Sequence, residues 1–234
     1  MKERCGIVFV HGIVGNNNIF NFLMPLIPAD TEVTMVGLEG HSGDALGFSR
    51  ASMNGWKRQV SEAVSQMASK CDRVIGVGHS MGCLLLLEKA FEGNVSALFL
   101  LNPPIKLKIR ARLFVNSFKV AFGFYENDEV AQAAKEAYGI TLDSNPLHYY
   151  GWPARYLELF AEIRRVRRLL AGGVSCSTCA LLSQHDEMVA VSSAEVIASS
   201  AEAQVIILPQ SHHYQYSETD RQTIARAFTS FFEF

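Results

Sequence analysis

Apolar positions along this chain follow two alternating rhythms. Short strand-like runs occur at residues 6–10, 32–36, 73–77 and 97–101, three of them nearly continuously apolar. Segments with helical spacing stand between the later ones, at 53–70 and 81–91. Runs that are apolar on both faces are what strands become when helices cover both sides of a sheet. The alternation therefore predicts βαβ units and a mostly parallel sheet flanked by helices. After Asn102-Pro103-Pro104 the rhythm changes, and residues up to Leu170 show helical periodicity, many aromatics and arginines, and no convincing strand. Residues 103–170 are expected to form a helical cap, inserted after the strand ending near Leu101. Strand signals return at 175–182 and 204–208, with a helix between them at 192–201 and a last helix over 218–232. Residues 1–234 thus read as a single α/β domain with one helical insertion.

Composition narrows the partners. A length of 234 residues with 49% hydrophobic side chains is enough for one well-buried core. With 21 basic and 23 acidic side chains the net charge is -2, so neither nucleic acid nor an anionic membrane surface is expected as a partner. The first strand follows directly on residues 1–5, which leaves no room for the charged and apolar regions of an export signal. No apolar run approaches the ~20 residues that cross a bilayer. A cytoplasmic protein without stable membrane insertion is expected.

The five cysteines (Cys5, Cys71, Cys83, Cys176, Cys179) are few and odd in number, as free thiols in a reducing compartment would be. Cys176 and Cys179 have C-x-x-C spacing but no second ligand pair, so buried thiols are expected rather than a zinc or redox site. No cofactor and no metal is implied. Arg164, Arg165, Arg167 and Arg168, with acidic residues nearby, read as the solvated face of a helix.

One stretch names a chemistry. Gly78-His79-Ser80-Met81-Gly82 joins a strand-like run to a helical one. G-x-S-x-G at such a junction is a nucleophile elbow, a turn so tight that the flanking positions must lack bulky side chains while the serine projects into a cleft. A serine hydroxyl is protonated at neutral pH, so a nucleophilic Ser80 needs a base within hydrogen-bond reach and an acid to orient that base. In this kind of fold they follow the serine in the order acid, then histidine, on loops after later strands. The loop after strand 175–182 contains Asp186, which its position favours over the adjacent Glu187. The loop after strand 204–208 offers two bases, His212 and His213. An oxyanion would be met by backbone N–H groups already in place, one of them that of Met81 at the start of the elbow helix.

His11-Gly12 after the first strand, the G-H-S-M-G elbow, the D-x-x-V run Asp186–Val189 and Ser211-His212-His213 occur in that order. In these four motifs, spread over nearly the whole chain, the sequence resembles the α/β-hydrolase superfamily, most closely its small carboxylesterase and monoacylglycerol-lipase-like members. The resemblance implies the α/β-hydrolase fold. It aligns His213 with the base of the family's S-x-H pattern and places His212 where a glycine is usual. It also places the second oxyanion N–H at Ile13, in a loop to which Gly12, Gly15 and Asn16-Asn17-Asn18 give freedom to turn. His11, His79 and His41 are read as packing residues.

The expected activity is a serine hydrolase (esterase or lipase-like) that cleaves small-molecule carboxylic esters, short- to medium-chain or monoacylglycerol-like, through Ser80, Asp186 and His213. The same triad could serve an acyltransferase, a thioesterase or an amidase. The alternative from another class is a noncatalytic ligand-binding protein of the same fold. Aromatic side chains of the expected cap, Phe118, Phe122, Tyr149 and Trp152 among them, are candidates to line the acyl pocket.

Overall fold

The computed structural model describes residues 3–108, 128–174, 176–199 and 203–231. Six strands form one sheet: β1 Cys5–Val10, β2 Glu32–Val36, β3 Arg73–His79, β4 Ala97–Leu101, β5 Ser177–Ser183 and β6 Ala203–Leu208. Their order is β2-β1-β3-β4-β5-β6, and every pairing is parallel. The helices are α1 Ala45–Arg50, α2 Met53–Ala68, α3 Met81–Phe91, α4 Glu129–Ala137, α5 Trp152–Leu170, α6 Ser193–Ala198 and α7 Glu218–Phe231. This is the α/β-hydrolase fold, a six-stranded parallel sheet flanked by helices.

The apolar runs acquire their reason in β4. Leu98 and Leu100 belong to the core on one face of the sheet, with Trp56, Val60 and Leu84. Ala97, Phe99 and Leu101 belong to the core on the other, with Phe9, Phe20 and Phe228. A strand buried on both faces has no position left for a polar side chain. Helix α1 has no counterpart among the expected elements. It is a single short turn whose amino end is capped by Asp44, whose carboxylate accepts the Gly47 N–H, and six residues are too few for helical periodicity to register.

Among the described residues between β4 and β5 there are two α-helices and no strand. Helix α5 packs on α2 and α3. Its arginine run divides by exposure: Arg164, Arg167 and Arg168 are exposed, whereas Arg165 is half-buried and paired. Lys57 of α2 reaches Glu88 of α3 at 3.4 Å and Glu162 of α5 at 2.5 Å, and Arg165 closes the set on Glu88 at 2.6 Å and on Glu162 at 2.9 Å. Burial by itself would raise the Glu162 pKa, but the donors of Arg165 and Lys57 outweigh it and hold the carboxyl below its usual range.

Removing one partner from a buried ion-pair set leaves the others uncompensated. Glu162→Gln is therefore expected to cost about 3 kcal/mol of stability at neutral pH, read from urea unfolding. Because the folded pKa lies below the unfolded one, that stabilisation is complete above ~4.3 and is lost as the pH falls through the lower, folded value. The gap between wild type and variant should accordingly close in acid. An equal gap at pH 7 and in acid would sink the ion-pair account.

Candidate active site

Strand β3 runs to His79 and delivers Ser80 at its carboxyl end, with α3 starting at Met81. Ser80 has φ 51° and ψ -120°, a strained conformation for a residue with a side chain. The bend is enforced by its hydrogen bonds. Ser80 N–H donates to Leu101 O at 2.9 Å and Ser80 O accepts from Cys83 N–H at 2.9 Å. A methyl group on Gly82 would stand 1.9 Å from Val10 O, and one on Gly78 would stand 2.8 Å from Cys83 N. Both elbow glycines are thus demanded by the approach of neighbouring backbone.

The acid loop after β5 and the base loop after β6 meet over this serine. His213 Nε2 is 3.1 Å from Ser80 Oγ, and His213 Nδ1 is 2.6 Å from Asp186 Oδ2. A carboxylate only accepts, so Nδ1 carries the proton and the Nε2 lone pair faces the serine hydroxyl. The other oxygen of Asp186 accepts the Met188 and Val189 N–H groups, each at 2.7 Å, which fixes the plane of the carboxylate. Burial alone would lower the His213 pKa, but Asp186 and then Glu187 outweigh it and hold the imidazole above its ordinary value. This arrangement can draw the proton from Ser80 and stabilise the imidazolium that results.

The base loop is anchored on its far side as well. Ser211 Oγ donates to Asp220 Oδ2 at 2.7 Å, and Gln210 N–H donates to the same oxygen at 2.9 Å. The carbonyl of His213 accepts from His79 Nε2 at 3.0 Å and from Asn102 Nδ2 at 3.1 Å. Burial, then the neighbouring His213, bring the His79 pKa down to about 3, so His79 is a neutral donor. His11 and His41, buried and lowered to about 4 and about 3, are neutral too. His41 packs among His11, Phe48 and Trp56.

Asn102 is a site residue that sequence reasoning missed. It has φ 50° and accepts Ser183 N–H at 2.8 Å, so one amide ties the ends of β4 and β5 to the base loop. Asparagine just after a strand and before Pro103-Pro104 is the signal available for it, since asparagine tolerates the left-handed region better than most residues.

The loop after β1 lies against the elbow: a methyl on Gly12 would come within 2.9 Å of Ser80 Cβ. Ile13 and Met81 are both buried, and in the described residues neither N–H is drawn into a turn or loop hydrogen bond. The loop is braced rather than free. Asn16 Oδ1 accepts Asn18 N–H at 2.8 Å, Asn16 Nδ2 donates to Glu136 O at 3.1 Å and to Tyr138 O at 3.0 Å, and Gly139 N–H donates to Val14 O at 2.9 Å. Val14, a β-branched residue, is held at φ 52° by these ties.

A cavity of about 100 Å³ opens beside Ser80, lined by Leu107, Tyr156, Leu159, Phe160, Ile163 and Met188 among others. Tyr149 and Trp152 stand elsewhere: Tyr149 OH donates to Asp143 O at 2.7 Å, and Trp152 Nε1 donates to Ala45 O at 3.1 Å while its ring packs on Phe48. Phe118 and Phe122 lie outside the described residues. No cluster of three or more potential metal ligands occurs among the described residues, and none of the five cysteines is in a disulfide.

A family model described as the alpha/beta hydrolase family matches residues 7–227. No curated protein sequence matches the chain. Among solved structures, that of the metagenome-derived lipolytic enzymes LipS and LipT superposes with a TM-score of 0.75 at 19% identity, covering 99% of this chain and 94% of the other. A soluble variant of monoglyceride lipase from Saccharomyces cerevisiae, in complex with a substrate analog, gives 0.71 at 14% identity, covering 99% and 87%. E-2-(acetamidomethylene)succinate hydrolase gives 0.68 at 16% identity, covering 99% and 94%.

Proposed function

This chain belongs to the alpha/beta hydrolase family, and we propose that it is a serine hydrolase of carboxylic esters with short acyl chains. The observation that carries the reading is the unbroken path from Ser80 Oγ through both nitrogens of His213 to Asp186, at 3.1 and 2.6 Å. Ser80 attacks the acyl carbonyl as His213 Nε2 takes its proton, and Asp186 holds the imidazolium. The negative charge that develops on the carbonyl oxygen is met by the N–H groups of Ile13 and Met81. His213 then gives the proton to the leaving alcohol, and water, activated by the same imidazole, releases the acyl group from Ser80.

The cavity beside Ser80 supports short acyl chains. Its volume of about 100 Å³ is below the roughly 150 Å³ that accommodates benzene. Helix α5 supplies four of its walls, in Tyr156, Leu159, Phe160 and Ile163. In this reading residues 103–170 act as a cap whose α5 sets the depth of the acyl pocket. That the superposed structures include enzymes named lipolytic and a monoglyceride lipase supports an ester as the substrate.

A fluorophosphonate probe should label the protein at Ser80, and Ser80→Ala should abolish the label. Turnover of p-nitrophenyl esters should be highest between acetyl and butyryl and fall for decanoyl. Labelling undiminished in Ser80→Ala would overturn the mechanism, and a decanoyl optimum would overturn the pocket assignment alone.

A further inference from the structure

His212 occupies the place where a glycine is usual before the base, and its imidazole has a partner of its own. His212 Nδ1–H donates to Glu187 Oε1 at 2.8 Å, and the other carboxylate oxygen, Oε2, accepts the backbone N–H of His213 at 3.3 Å. Two adjacent acids thus hold two adjacent histidines: Asp186 takes the ring of His213, and Glu187 takes the ring of His212 together with the main chain of His213. The Glu187 side chain is only 5% exposed, and a carboxylate so deeply buried is retained at a cost unless its oxygens are satisfied. His212 and the His213 N–H satisfy one oxygen each. Since the His213 carbonyl is already held by His79 and Asn102, Glu187 completes a clamp on both sides of the base's backbone.

We propose that Glu187 is a positioning residue for His213, and that His212 acts by holding Glu187 in place rather than by carrying protons. Misplacing a catalytic group by about 1 Å can cost 10²-fold in rate, so the clamp acts on kcat more than on substrate binding. It also acts on charge. The groups that face His213 are Ser80 and His79 at the end of β3, Asn102 after β4, Asp186 and Glu187 after β5, and His212 and Tyr214 in its own loop. Within this set the acidic side chains are Asp186 and Glu187, and both favour the imidazolium against the burial that opposes it.

The inference rests on the proposed role of His213, so its test includes one measurement that needs no substrate. By NMR, the His213 imidazole should titrate at lower pH in Glu187→Gln than in wild type, because a negative charge beside it has gone. In ester turnover, Glu187→Gln should lower kcat about tenfold with KM within about twofold. His212→Ala should lower kcat a few-fold, His212→Gln should restore it by returning an N–H donor to Glu187, and Glu187→Gln with His212→Ala should be no worse than Glu187→Gln alone. An unmoved His213 titration in Glu187→Gln, or losses that add in the double variant, would overturn the proposal. Should Glu187→Gln fail to fold, the half-buried His212 pair decides: a loss in His212→Ala that His212→Gln does not restore overturns it. If no ester is turned over at all, the functional reading fails while the titration still decides the clamp.

Discussion

His213→Ala is expected to lower kcat for ester hydrolysis by about 10⁵–10⁶-fold, and His212→Ala by less than about tenfold, although the two imidazoles are adjacent in the chain. The difference comes from what each ring faces. His213 presents Nε2 to Ser80 Oγ at 3.1 Å and Nδ1 to Asp186 at 2.6 Å, and it is fully enclosed. The ring of His212 is spent on Glu187. Without His213, His79 is no substitute among the described residues: burial brings its pKa down to about 3, which makes it too weak a base, and its Nε2–H is already donated to the carbonyl of residue 213. Steady-state kinetics on a p-nitrophenyl ester, with the folded state checked by circular dichroism, would measure both variants. A larger loss in His212→Ala than in His213→Ala would reassign the base and undo the proposed mechanism.

Asp186→Asn is expected to lower kcat by about 10⁴-fold with the fold intact. Asp186 Oδ1 accepts two backbone N–H groups, from Met188 and Val189, and only an oxygen can do so. In asparagine the single carbonyl oxygen must therefore take that side, which turns the NH₂ group toward His213 Nδ1. Two donors cannot face one another, so Nδ1 becomes the acceptor and the proton moves to Nε2. An Nε2–H imidazole has no lone pair for the Ser80 hydroxyl. The loss should therefore fall on kcat, with KM little changed, and fluorophosphonate labelling should slow in parallel. Labelling at the wild-type rate in Asp186→Asn would show that the tautomer is not set by this residue.

Much of the fold could be read along the chain because a strand buried on both faces is an apolar run whatever its neighbours. β1, β3 and β4 stand within two residues of their expected bounds, and α3 has its expected bounds. β2 has its expected bounds and β6 begins one residue earlier, although both are edge strands with patchy burial. The weaker matches have physical causes. α1 is one short turn set by the Asp44 cap. The expected helix at 192–201 shrinks to α6, Ser193–Ala198, within the described residues.

The candidate site divides along a similar line. Ser80 with Gly78 and Gly82 is legible because an elbow is a local object: strand, bend and helix are contiguous, and the steric demand of Val10 O on Gly82 appears as the absence of a side chain in the sequence. The arginine run is legible only in part. Its solvated residues follow from composition, whereas Arg165 is drawn inward by two glutamates on different helices.

Sequence alone therefore determined the parallel α/β order, the elbow and the short list of acids and bases, because each depends on residues that are neighbours in the chain or on the two-sided burial of a strand. The tertiary structure decided what required separate loops to meet. It turned His213 toward Ser80 and His212 toward Glu187, placed Asn102 under His213, and put the face of α5 beside Ser80 while Trp152 packed away against Phe48. These choices turn on side-chain direction and on distances of a few ångströms between residues up to 133 positions apart, which no local pattern encodes.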